Sequence, residues 1–104
     1  MIIVTSSAIP GKDIKKNFGL VRGNTIRARF IGKDIVAVFK NILGGEISEY
    51  TKLMAESREQ AIDRMIAEAK ALGANAIIDV RFSTSYIMKS AAEILVYGTA
   101  VFVE

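Results

Sequence analysis

EILVYGTAVFV, Glu93–Val103, decides the fold. Ile94, Val96, Ala100 and Phe102 project one way from an extended chain and Leu95, Tyr97, Val101 and Val103 the other, so this strand is apolar on both faces. A helix layer covers one face of an antiparallel sheet, and the second needs further cover. A neighbouring subunit supplies it most simply; the alternative is residues 1–20 folded back across that face.

Working outward, Lys89-Ser90-Ala91 reads as the connection to a preceding strand over Ala76–Tyr86. There Ile78, Val80, Phe82 and Tyr86 alternate with Asp79, Arg81, Ser83 and Ser85, which gives one apolar and one wet or interfacial side. Before it, Tyr50, Leu53, Met54, Ala61, Met65, Ala69 and Leu72 form one stripe of a helix over Ile47–Leu72, and Gly73 is a natural left-handed stop. Ser57 with Gln60 imitates a capping box and marks a potential break. A shorter helix is expected after Gly32, capped by Asp34, carrying Ile35, Val38, Phe39 and Ile42 and ended by Gly44-Gly45.

Nearer the N-terminus, Val21–Ile31 alternates, with Ile26, Ala28 and Phe30 on the expected core face and Thr25, Arg27 and Arg29 opposite. Lys12–Gly19 has no clear period, and Met1–Thr5 is a short strand stopped by Ser6, Ser7 and Ile9-Pro10-Gly11. The 104 residues make one mixed α/β domain spanning 1–104, since two domains would each be too small to bury a core.

Composition excludes much chemistry. With no cysteine and no histidine, disulfides, thiolate nucleophiles, thiolate or imidazole metal sites and the usual neutral-pH proton shuttle are all missing. No apolar run spans a bilayer and Met1–Pro10 lacks a basic start, so a cytoplasmic protein without membrane attachment is expected. Without histidine a serine nucleophile would need a desolvated lysine, and Ser85 with Lys89 is too weak a pair to propose. Gly11-Lys12 lacks the rest of a phosphate loop, and Gly19 and Gly23 read as turns at strand ends.

Oxygen ligands for a hard divalent cation exist in Glu46, Glu49, Asp63, Asp79 and Glu93, without ligand spacing. The net charge of +3 is uneven: residues 1–40 carry eight Lys/Arg against Asp13 and Asp34, and residues 41–104 carry six against nine carboxylates. Lys12, Lys15, Lys16, Arg22, Arg27, Arg29 and Lys33 could meet phosphates, yet aromatic interleaving is poor because Phe30 is assigned to the core. Nucleic acid is therefore disfavoured as a partner. Gly44-Gly45-Glu46 reads as a loop exposing backbone donors, open to an anion or to a neighbouring chain.

Gly19-Leu-Val-Arg-Gly23, Asp34 to Tyr50 with Leu43-Gly-Gly-Glu46 and Tyr50-Thr51, Arg58-Glu-Gln-Ala61, Leu72-Gly-Ala-Asn-Ala76 and Gly98-Thr-Ala-Val101 together resemble the YbjQ-like family, bacterial and archaeal proteins often labelled heavy-metal-binding. The resemblance covers nearly the whole chain. It implies an α+β, two-layer, dodecin-like subunit, its antiparallel sheet backed by helices, assembled into a pentameric ring that sometimes pairs into a decamer. It implies no established activity or cofactor, and the heavy-metal label sits badly with the missing cysteine and histidine. The resulting expectation is a non-catalytic homo-oligomer with a small anionic ligand or metal bound at subunit boundaries near Arg22, Gly44, Gly45, Glu46, Tyr50 and Arg81. The alternatives are an enzyme using Glu46 or Asp79 as a base at that interface, or a weak nucleic-acid binder through the basic N-terminal part.

Overall fold

The computed structural model describes residues 1–28, 48–88 and 91–104. The expected short helix after Gly32 lies outside them, as do Arg29 and Phe30. The elements in chain order are β1 (Ile2–Ile3), β2 (Ile14–Ala28), α1 (Ser48–Leu72), β3 (Ala76–Met88) and β4 (Ala91–Val103). The sheet order is β1-β3-β4-β2, with β1 parallel to β3 and β4 antiparallel to both neighbours.

The single described helix lies on one face of this sheet. Ala61, Met65 and Ala69 are fully buried against Val21, Ile77, Val96 and Ala100, and burying Met65 alone contributes roughly 1.5–3 kcal/mol. The helix is continuous through Ser57, which is buried. Its hydroxyl donates back to the Leu53 carbonyl (2.9 Å), one turn earlier, so the capping-box imitation does not break the helix. Gly73 (φ 93°) ends it as expected: Ala74 N–H donates to Ala69 O and Gly73 N–H to Lys70 O, the paired bonds of a Schellman turn. Leu72, assigned to the apolar stripe, is 45% exposed because it sits at that unwinding end.

β2 begins seven residues earlier than its alternation suggests. Irregularities between Ile14 and Lys16 and between Asn17 and Gly19 hide the period, and Gly19 (φ 90°) takes the left-handed position of the second. The core face of this strand is also the reverse of the expected one. Val21, Gly23 and Thr25 face the helix and are buried, while Ile26 is 60% exposed. Steric and polar detail outweigh hydropathy here. A Cβ on Gly23 would collide with the Ala61 carbonyl oxygen and approach Met65 N, so the helix backbone lies directly on the strand. Thr25 can be buried because its hydroxyl donates to the Ser57 carbonyl (3.1 Å). Gly23 is thus a contact point in mid-strand and no turn.

β3 breaks its own alternation at Asp79, which has φ 54°. Ile78 pairs with Thr99 and Arg81 with Tyr97, so two residues, Asp79 and Val80, stand opposite Gly98. Ile77 and Val80 consequently join the helix-facing cluster, while Ala76 and Ile78 join a second cluster on the other face with Val101 and Val103. The expected common face for Ile78 and Val80 is therefore split by one residue.

Both faces of β4 are assigned as the sequence suggests, with Ile94, Val96 and Ala100 under the helix. At one end of the opposite face the N-terminal segment supplies the cover: Ile2, Val4 and Ile9 pack over Val101, Val103, Ala76 and Ile78. Val4 N–H donates to Ile77 O and Val80 N–H to Val4 O, which extends the short parallel β1–β3 ladder. Asp13 and Glu104 exchange backbone bonds (2.9 and 3.1 Å) and close the segment against the end of β4. The N-terminal segment stops there. Among the described residues the other end of this face stays uncovered, with Leu20 at 62% and Tyr97 at 37% exposure.

Candidate functional site

The uncovered end of the sheet is ordered by register. Arg22 on β2 pairs with Tyr97 on β4, and Tyr97 pairs in turn with Arg81 on β3. Directly paired residues share a face, so one row across three strands reads Arg22, Tyr97, Arg81, with neighbours about 4.8 Å apart along the hydrogen-bonding direction. The two sequence-predicted arginines, 59 positions apart in the chain, thereby flank one tyrosine. Tyr97 was read only as an apolar residue of β4; without the pairing nothing in the sequence ties it to either arginine.

The two cations are held differently. Arg81 Nη1 donates to Thr5 O (2.9 Å) and Val80 O (2.8 Å), which pins that side of the guanidinium and leaves Nη2 and Nε without a hydrogen bond to any described residue. Arg22 is exposed and makes no hydrogen bond or ion pair among the described residues. Neither guanidinium is matched by a carboxylate there. In the adjacent rows Asn24 pairs with Leu95 and Ile26 with Glu93, and the Glu93 carboxylate accepts from the Asn24 amide (3.1 Å). Asp79 accepts from the Ser7 hydroxyl (2.9 Å), while its own N–H donates to Ser6 O, so its carboxylate ties down the N-terminal segment.

Of the remaining predicted site residues, Gly44, Gly45 and Glu46 lie outside the described residues. Tyr50 falls in the first turn of α1, its side chain outside the described set. The arrangement is thus a row of two arginines flanking a tyrosine ring on an open sheet face.

The donor set does not fit a soft heavy metal, which favours thiolate or imidazole ligands. The chain has no cysteine or histidine. Of the thioethers among the described side chains, Met65 is sealed in the core, Met54 packs against it and Met1 is exposed at the chain start. Among the described residues no three carboxylates come together as an oxygen site.

The whole chain, residues 1–104, matches a protein-family model, YbjQ, described as "Putative heavy-metal-binding". A UPF0145 protein of Dehalococcoides mccartyi strain BAV1 is 58% identical over the full length of both chains. A UPF0145 protein of the archaeon Methanosarcina acetivorans is 52% identical over 97% of this chain and 95% of its own. In three dimensions a protein of unknown function of the DUF74 family from Pediococcus pentosaceus superimposes with a TM-score of 0.70 at 17% identity, covering 100% of this chain and 98% of that one. No described helix is long and apolar enough to cross a membrane.

Proposed function

The chain belongs to the YbjQ family, and from that premise we propose that it is a homo-oligomeric binding protein that takes an anionic ligand on the open sheet face beside a subunit boundary. The observation that carries this reading is the Arg22–Tyr97–Arg81 row: two guanidinium groups without carboxylate partners among the described residues, beside an exposed ring. Guanidinium groups bind planar or tetrahedral anions through paired N–H donors, and the carbonyls of Thr5 and Val80 orient Arg81 in advance. The protein's own contribution is to position charge and exclude competing partners; no group is assigned to bond making.

Assembly is proposed from the shape and surface of the subunit. Its radius of gyration is 17.2 Å, where a compact domain of this length has about 13 Å. Leu20 and Ile26 stand exposed on one face of the sheet, apolar surface that a neighbouring subunit would bury beside the ligand row. A dodecin-like pentameric ring, alone or paired, is the proposed assembly. Native mass spectrometry of the purified protein tests it. Five or ten copies, with pyrophosphate retained by the parent and lost in Arg81→Ala while the ring stays intact, is the expected result. A monomer at micromolar concentration overturns the assembly, and pyrophosphate affinity unchanged in both Arg22→Gln and Arg81→Ala overturns the site.

A further inference from the structure

We infer that the Arg22–Tyr97–Arg81 row binds single-stranded nucleic acid, stacking one base on Tyr97 and holding the flanking phosphates on the two arginines. The inference rests on the reading that these arginines receive an anion, and it adds what kind of anion. The basic N-terminal part alone did not favour nucleic acid, because aromatic interleaving there is poor. Strand pairing supplies what the linear order lacks: a tyrosine ring from β4 placed between two cations from β2 and β3.

Three features separate this ligand from a small anion. The surface is an open sheet face on which the backbones of Arg22 and Arg81 stand two strand spacings, about 10 Å, apart, so a free phosphate or carboxylate leaves most of the row without a partner. An extended strand carries a charge on either side of each base and so meets both. The tyrosine between them, 37% exposed, offers a stacking surface that a purely anionic ligand would leave unused and that any base can use. Neither flanking arginine is neutralised by a carboxylate among the described residues: Glu93 is engaged by Asn24 and Asp79 by Ser7. A duplex lacks accessible base faces and cannot use the ring.

The test is fluorescence anisotropy of the full-length protein with a labelled twelve-residue oligothymidylate at low and moderate salt, using the same-sequence duplex as competitor. Single strand is expected to bind and the duplex to compete at least tenfold less well. Tyr97→Phe is expected to bind within twofold of the parent and Tyr97→Leu about tenfold more weakly, the two variants folding alike by circular dichroism. Arg22→Gln and Arg81→Gln are each expected to weaken binding severalfold and to lower the salt slope by about 0.7. Lys52→Gln, on the exposed surface of α1, removes the same charge elsewhere and is expected to change binding less than twofold. Equal binding of duplex, equal loss in Lys52→Gln, or a Tyr97→Leu variant that binds like the parent overturns the inference. If the oligonucleotide fails to bind while pyrophosphate still binds in an Arg81-dependent way, nucleic acid is refuted and the anion site stands. If both fail, the site falls with it.

Discussion

Gly23→Ala adds one methyl group at the tightest point of the molecule. The new Cβ would land on the Ala61 carbonyl oxygen, at 2.5 Å from Met65 N and 3.0 Å from Arg64 Cβ. Two of those three atoms are backbone, so no rotamer change relieves the contact, and α1 must withdraw from β2 by more than an ångström. That withdrawal loosens the fully buried Ala61, Met65 and Ala69 against Val21 and Val96, and it stretches the Thr25–Ser57 hydrogen bond. Overpacking of this kind costs roughly 1–3 kcal/mol, against which alanine recovers about 0.5–1 kcal/mol of strand conformational entropy. Because two of the contacts are backbone, the cost lies at the upper end, about 3 kcal/mol, and a net loss of about 2 kcal/mol is expected. Urea unfolding at fixed protein concentration should show the midpoint falling by about 1–2 M, for a slope of about 1–2 kcal/mol/M. Gly11→Ala, where nothing lies within 4 Å and only the left-handed φ of 79° is strained, separates dihedral strain from collision and should cost about 1 kcal/mol. A Gly23→Ala midpoint equal to the parent's would refute the claim that helix and strand backbones touch here.

Asn75→Ala removes two bonds, Nδ2 to Val103 O and Val103 N–H to Oδ1, both 2.8 Å, and should cost about 2 kcal/mol with faster amide exchange at Val103. Ser57→Ala removes the bond from its buried hydroxyl to Leu53 O one turn earlier and leaves the helix unbroken, so a loss of about 1 kcal/mol by thermal melting is expected; a loss above about 2 kcal/mol would show that the hydroxyl matters beyond that bond. Asp79→Val places a β-branched residue at φ 54° and cuts the link to Ser7; a loss of about 2 kcal/mol or more in urea is expected, whereas Asp79→Gly, which tolerates that φ, should cost less than half as much.

Much of the fold was legible where hydrophobic periodicity runs unbroken. The two faces of β4, the Ala61-Met65-Ala69 stripe and the glycine stop at Gly73 all follow from spacing, because each residue's burial there depends on its own side chain and the local period. The misassignments share one physical origin. In β2 the buried row is Val21, Gly23, Thr25, chosen because a backbone must approach and a hydroxyl has a carbonyl to meet, so the exposed row inherits Ile26. Hydropathy cannot register either condition. In β3 and the first part of β2, single inserted residues shift the phase, and phase is what alternation measures. The candidate site was half legible. Arg22 and Arg81 were singled out from segments near the family resemblance, but the ring between them is a property of register, fixed only when three strands align.

The inserted residue at Asp79 joins these two themes. On an unbroken ladder, Ile78 opposite Thr99 would be followed two places later by Val80 opposite Tyr97. Val80 would then stand on the open face and Arg81 would point under the helix. With Asp79 in a left-handed conformation the strand gains one residue there, Val80 enters the core at 5% exposure and Arg81 meets Tyr97 on the outside. A non-glycine residue at positive φ costs on the order of 1 kcal/mol, and it is met locally: the Asp79 N–H donates to Ser6 O, its carboxylate accepts from Ser7, and Arg81 donates to Thr5 O. The same three N-terminal residues therefore hold the bulge and orient the guanidinium. The bulge re-aims one side chain from the core to the surface, and the N-terminal strap that seals one end of the sheet face holds the arginine proposed to receive an anion at the other.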